Sequence, residues 1–168
     1  ELVGENRIWF GEDGSNVPRI KKFLSEVKQG FVPLTIWPRE EVGDNQEAKD
    51  EMKVLFADDP FGTPKPERLL KRILDLGSKP GDWVLDSFLG SGTTSAVAHK
   101  MGRKHIGVEL GNHATTHCLP RLKKVVDGND GLALSKALGW QGGGGFKFYN
   151  LAPSLLRKDS FGNFVINE

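Results

Sequence analysis

Apolar positions recur with two different periods along the middle of the chain. In TPKPERLLKRILDLG, Leu69, Leu70, Ile73 and Leu74 fall three and four residues apart. That spacing predicts a helix opened by prolines and closed by Gly77 and Pro80. The period then shortens. Trp83, Val84 and Leu85 form a compact apolar run of the kind that makes a parallel strand buried on both faces. A glycine turn, a helical stretch and the second strand IGVEL follow, so VLDSFLGSGTTSAVAHKMGRKHIGVEL, residues 84–110, predicts a strand–helix–strand unit. Farther on, HATTHCLPRLKKVVDG is helical in pattern, with Leu122, Val125 and Val126 inward and a break or fresh start at Pro120.

The flanks carry weaker patterns. NRIWF alternates loosely like a strand, and VPRIKKFLSEVKQG places Ile20, Phe23, Leu24 and Val27 on one helical face ending at Gly30. The opposite face of that helix carries Arg19, Lys21, Lys22 and Lys28, which could follow a phosphate backbone or simply meet solvent. VPLTIW predicts a short strand, and EVGDNQEAKDEMKVLF a polar helix or ordered loop. Past residue 128, four consecutive glycines predict a flexible or tightly folded loop, with FKFYN as a strand beside it. Three zones result: 1–59, 60–128 and a glycine-rich extension at 129–168.

Composition narrows the class without choosing a function. The chain has 168 residues, 38% hydrophobic and 27% charged, as suits a globular domain or part of one. Lys+Arg 23 against Asp+Glu 22 leaves a net charge of +1, so bulk charge neither requires nor excludes nucleic acid. No apolar run approaches the roughly 20 residues that cross a bilayer, which favours a cytoplasmic protein without membrane contact. A single cysteine, Cys118, allows no internal disulfide and reads as a small buried apolar residue. The four histidines make no metal set, and His113 and His117 read as surface residues. The chain starts at Glu1 instead of Met, which is expected of a truncated or processed protein.

The turn between the two strands carries the chemistry. Gly90 and Gly92 lie where a strand becomes a helix, so backbone can approach a ligand and the N–H groups of the helix start point at it. GSGTTS lacks the lysine and the glycine spacing of a triphosphate loop. Ser95 stands where a dinucleotide fingerprint has its third glycine, so a nicotinamide cofactor matches in part. Glu109 lies 23 residues beyond Asp86, placed to accept ribose hydroxyls of either kind of nucleoside. Asp86 discriminates between them. A carboxylate there repels a pyrophosphate but attracts the cationic methionine end of S-adenosylmethionine.

LDSFLGSGTT followed by GRKHIGVEL resembles the S-adenosylmethionine loop of DNA amino-methyltransferases, and FGTPKPERLLKRIL resembles their cofactor-binding helix. The order, helix before loop, is similar to the permuted branch of that family. RIWFGEDGSNVPRIKKFLSEVKQG, VGDNQEAKDEMK, LPRLKKVV, GWQGGGGFKFYNLAPSLL and DSFGNFVIN extend the resemblance to the modification subunits of type III restriction-modification systems, which are similar to adenine-N6 methylases. The resemblance implies an α/β fold, a partial Rossmann-like methyltransferase sheet with flanking helices. It implies that Asp86 meets the methionyl amino group, Phe88 packs near the cofactor, Gly90, Gly92 and Thr93 wall the loop, and Glu109 binds ribose. Thr63 and Lys65 would face the methionine carboxylate. It also implies double-stranded DNA, a restriction subunit and a homodimer as partners of the full-length protein.

One family feature is missing. The catalytic motif, an Asp, Asn or Ser followed by Pro-Pro and an aromatic residue, has no counterpart, because no Pro-Pro pair occurs in the chain. DDPFG, residues 58–62, has only one of the two prolines. The expected catalytic set is therefore empty. The chain is expected to be a C-terminal portion carrying the cofactor half of an adenine-specific methyltransferase, inactive by itself, with its first zone linking to a recognition region. Two alternatives remain at this stage: a nicotinamide-dependent oxidoreductase fragment, and a non-enzymatic DNA-binding or assembly module.

Overall fold

The computed structural model describes residues 2–27, 30, 32–152 and 154–166. Packing divides the chain into two units, Glu1–Ile36 and Trp37–Glu168.

In the first unit, β1 (Ile8–Trp9) pairs antiparallel with β2 (Arg19–Ile20), and a single 3-10 turn spans Leu24–Glu26. The helix expected over residues 17–30 does not form. Ile20 instead pairs with Ile8, and Arg7 lies 5.3 Å over the Phe23 ring while its guanidinium pairs with Glu26. These partners override a weak helical period. The basic face imagined on that helix is consequently absent: Lys21 donates to Asn6 Oδ1 at 2.7 Å, and Lys28 lies outside the described residues.

The second unit holds the regular elements. A one-turn helix α1 (Arg39–Val42) precedes α2 (Asn45–Leu55), which is capped by Asp44 accepting the Glu47 N–H at 2.9 Å. The proline-opened α3 (Glu67–Gly77) buries Leu70 and Leu74 as its spacing predicts, though Ile73 stays exposed. Strand β3 (Trp83–Asp86), helix α4 (Thr93–Lys100) and strand β4 (Lys104–Gly107) form the expected unit, with β3 and β4 parallel and Asp86 opposite Gly107. The pattern changes just ahead of Pro120. A π-helical segment at Ala114–Cys118 runs in helical geometry straight into α5 (Leu119–Val126), so the winding shifts where the proline removes an N–H. A short α6 (Ala133–Ala137) and a hairpin of β5 (Leu156–Lys158) with β6 (Phe164–Ile166) complete the elements.

Two small cores hold this unit. Leu70, Leu74, Val97, Ala98 and Leu134 pack together under Val84, and Met52, Leu55 and Leu132 pack with Phe56 and Phe61. The strands are covered on one face only. Trp83 is 65% and Leu85 68% exposed, which corrects the expectation of a strand buried on both sides. The fold is mixed α/β, with one two-stranded parallel pair at its centre.

No strand forms at VPLTIW or FKFYN among the described residues. The glycine tract folds tightly. The Gly143 N–H donates to the Val126 carbonyl at 2.7 Å, and a Cβ at Gly142 would sit 2.6 Å from that oxygen. Trp140 donates its indole N–H to the Val125 carbonyl at 2.7 Å, so the tract docks on the end of α5.

Candidate functional site

Asp86 ends β3, and Glu109 lies two residues past the end of β4. Because these strands are parallel neighbours, both carboxylates emerge at the same edge of the pair, on either side of the loop 87–92. Asp86 Oδ1 accepts the Phe88 N–H at 3.0 Å and its Oδ2 accepts the Thr94 hydroxyl at 2.6 Å. Glu109 Oε2 accepts the Gly90 N–H at 2.7 Å, while Oε1 accepts the Gly111 N–H at 2.8 Å and lies 2.9 Å from His113 Nε2. The Gly111 N–H, helped by Gly90 and His113, holds the Glu109 carboxyl below its ordinary value. It is therefore an anion at neutral pH. Each carboxylate offers about four acceptor sites, so both retain capacity for an outside donor.

The loop itself is set by glycine and by its neighbours. Gly90 (φ +60°) and Gly92 (φ +81°) are left-handed, and Gly92 opens α4. A Cβ on Gly92 would lie 3.2 Å from Cys118 Cα, so helix packing requires this glycine as much as a ligand would. Cys118 is 3% exposed and its Sγ donates to the Gly90 carbonyl at 3.0 Å; burial, then the charge of Glu109, pushes its thiol up to about 11. Gly107 is also closely approached: a Cβ there would meet the end of the Leu89 side chain at 2.5 Å and Ser95 Oγ at 3.0 Å.

The other expected residues divide between surface and interior. Thr63 and Lys65 are exposed ahead of α3, and Lys65 makes no ion pair among the described residues. They are bracketed by two attachments to the loop: the Phe61 ring lies against Gly90, and Glu67 connects through Arg121 to Thr93. Phe88 is 88% exposed beside the carboxylates. Thr93 faces inward, its hydroxyl engaged by Ser91 and Arg121, so only its backbone is open to a ligand.

Behind the loop lies a buried charge set that sequence reasoning missed. Arg121, fully buried, donates through Nη2 to Glu67 Oε1 at 2.9 Å and through Nη1 to the Thr93 hydroxyl at 2.8 Å. Lys100 donates to the other oxygen of Glu67, to Asp130 at 2.8 Å and to Ser135 at 3.0 Å. Glu51 accepts the Glu67 N–H at 3.1 Å; burial, then the charge of Glu67, pushes its carboxyl up to about 7. A signal was present. Arg121 follows Cys118 and precedes Leu122 and Val125 on one helical stripe, and Lys100 continues the stripe of Thr93, Ala96 and Val97. A charge at a core position of a helix points to a buried partner.

His117 also departs from expectation. It is buried, with Nε2 2.9 Å from the Asp59 carbonyl and its ring edge-on to Phe56 and Phe61. A carbonyl only accepts, so the ring proton is assigned to Nε2. With residues 55–59 and Thr116 it lines a cleft of about 320 Å³ that contains none of the eight expected site residues. No helix of the described residues is long and apolar enough to cross a membrane, and no group of three His, Cys, Asp or Glu is placed to hold a metal ion.

The DNA methylase family profile matches residues 9–118, and the chain belongs to that family. Among curated proteins, it is 57% identical over 89 residues to the probable type III restriction-modification enzyme HindVI Mod subunit of Haemophilus influenzae, covering 53% of this chain and 12% of that protein. It is 39% identical over 95 residues to the type III restriction-modification enzyme StyLTI Mod subunit of Salmonella typhimurium, covering 56% of this chain and 14% of that one. The chain thus spans a small fraction of the relatives it matches.

Proposed function

We propose that this chain is the S-adenosylmethionine-binding portion of a site-specific DNA methyltransferase that modifies adenine at N6 within a type III restriction-modification system. The observation that carries the reading is the pair of carboxylates, Asp86 and Glu109, at one edge of a parallel strand pair around a glycine loop. The residues suit that cofactor. Asp86 offers an anion to a methionyl ammonium, Glu109 offers acceptors to ribose hydroxyls, and Lys65 is a free compact cation for a carboxylate. Phe88 and Leu110 expose apolar surface beside them. A pyrophosphate would meet two carboxylates, which disfavours a dinucleotide.

When bound, the cofactor supplies an electrophilic methyl group. Within this chain, Asp86, Glu109 and Lys65 bind and orient, and Gly90 and Gly92 allow close backbone approach. Thr63 would assist at the carboxylate end, and the backbone of Thr93 would complete the loop wall. The parallel pair would belong to a larger Rossmann-like sheet in the parent enzyme. In that arrangement residues 1–59 link to the target-recognition region, 60–128 bind cofactor and 129–168 form the extension. A Pro-Pro motif supplied elsewhere would hold the flipped adenine, so the chain alone would not transfer methyl. The relatives' names support DNA and a restriction subunit as partners of the whole protein; double-stranded DNA, a homodimer of modification subunits and a cytoplasmic location are further parts of this proposal.

Calorimetric titration of the full chain with S-adenosylmethionine tests the reading, alongside Asp86→Asn and Glu109→Gln. Each variant should weaken binding at least about tenfold, or 1.4 kcal/mol. Binding of NAD in place of S-adenosylmethionine, or unchanged affinity in both variants, would refute it.

A further inference from the structure

We infer that Arg121 is a positioning residue: it fixes the shape of the glycine loop from behind and locks that loop to the first turn of α3. The consequence for cofactor binding rests on the function proposed above; the effect on the loop does not.

Glycines confer freedom on a loop and no means of using it. Gly90 and Gly92 carry no side chains, so neighbours must select their conformation. Three side chains do so. Glu109 takes the Gly90 N–H and Cys118 contacts the Gly90 carbonyl. Arg121 holds the remainder, with Nη1 3.4 Å from the Ser91 carbonyl between the two glycines and 2.8 Å from the hydroxyl of Thr93, the first residue of α4.

The second arm of the guanidinium gives this hold a direction. Nη2 binds Glu67, the first residue of α3, two positions beyond Lys65 and four beyond Thr63. Glu67 is itself held, by Lys100 on its other oxygen and by its N–H on Glu51. One planar group therefore joins the two segments expected to line the cofactor. The guanidinium meets the two through separate nitrogens held in a fixed plane, whereas a lysine would have to reach both from one nitrogen on a flexible stem. The whole group is buried, and its Nε has no hydrogen-bond partner. Such an arrangement sacrifices one donor to keep the other two aimed.

The test compares the full chain with Arg121→Lys and with the double variant Glu67→Gln/Arg121→Gln, which removes both charges together should the lysine variant fold poorly. Amide hydrogen exchange is read without ligand, and S-adenosylmethionine affinity by calorimetry well below the melting temperature. In whichever variant is folded, exchange at Gly90, Gly92 and Ala96, whose N–H groups are hydrogen-bonded within the loop, should rise at least tenfold while Leu74 and Val125 keep their protection. Affinity should fall at least tenfold. A purely structural role would raise exchange in the loop and core together, and that result, or a loop and an affinity both unchanged, overturns the proposal. If the parent chain fails to bind S-adenosylmethionine, the proposed function fails, and the exchange pattern alone decides whether Arg121 shapes the loop.

Discussion

Replacing Glu51 by Gln should stabilise the protein at alkaline pH. Glu51 lies at the edge of a set with two cations, Lys100 and Arg121, and two other carboxylates, Glu67 and Asp130. With Glu51 protonated the set balances; with it ionised there is one negative charge too many. Burial, then repulsion from Glu67, raises its carboxyl from 4.5 to about 7. On an ideal scale, that displacement costs the ionised form roughly 3 kcal/mol. Solvent around a half-buried side chain reduces the cost to roughly 1–2 kcal/mol. Because the folded-state value lies above the unfolded one, this stability is fully present below about 4.5 and is lost as pH rises through about 7. Glutamine keeps an oxygen for the Glu67 N–H and carries no charge. Urea unfolding of both proteins from pH 5 to pH 8.5 isolates the effect, since other titrating groups cancel in the difference. The Gln variant's advantage should be smallest near pH 5 and grow to roughly 1–2 kcal/mol at pH 8.5. A difference that does not vary with pH, or a variant less stable at pH 8.5, would refute the reasoning.

Two further outcomes follow from the loop. Gly92→Ala forces a Cβ into a left-handed backbone and to 3.2 Å from Cys118 Cα, so thermal unfolding should show a loss of roughly 1–3 kcal/mol. Cys118, buried and raised to about 11, should react with an aromatic disulfide reagent at pH 8 at least about a hundredfold slower than a free thiol. Labelling of the folded chain at the free-thiol rate would show that Sγ is not packed under Gly90.

The legible parts of the fold were those encoded locally. Helix α3 has its prolines, its period and its terminal glycine within fifteen residues, and the strand pair has its acidic ends and glycine turn in one continuous stretch. The change of winding into α5 was announced by Pro120. What failed depended on partners distant in sequence. Ile20, Phe23, Leu24 and Val27 fit a helical face, but pairing of Ile20 with Ile8 and the Arg7 contacts to Phe23 and Glu26 decide that segment. VPLTIW and FKFYN have strand composition but are not strands, and composition alone does not make a ladder. In the candidate site, the placing of Asp86 and Glu109 at one edge was legible because the first ends β3 and the second lies two residues past β4. Glu67 and Lys100 on helices and Asp130 in the loop before α6 were missed because charges are ordinarily solvated, and only the third dimension brings these together.

The two faces of the strand pair divide the work of the molecule. Toward the helices, Val84 enters a core that sits beside the buried charges, and those charges hold the loop. Apolar packing alone could cover a strand, but it slides; a guanidinium fork aimed at Thr93 and Glu67 has one geometry. Away from the helices, Trp83, Leu85, Ile106 and Val108 present apolar surface, continued by Phe88 and Leu110 at the carboxylate edge. A parallel pair ordinarily hides both faces, so a bare one is a surface suited to further protein. The proposed parent enzyme offers a reason for the asymmetry. There, the face toward the helices would hold the proposed cofactor loop through the Arg121 hydrogen bonds, and the apolar face would meet the part that brings the adenine.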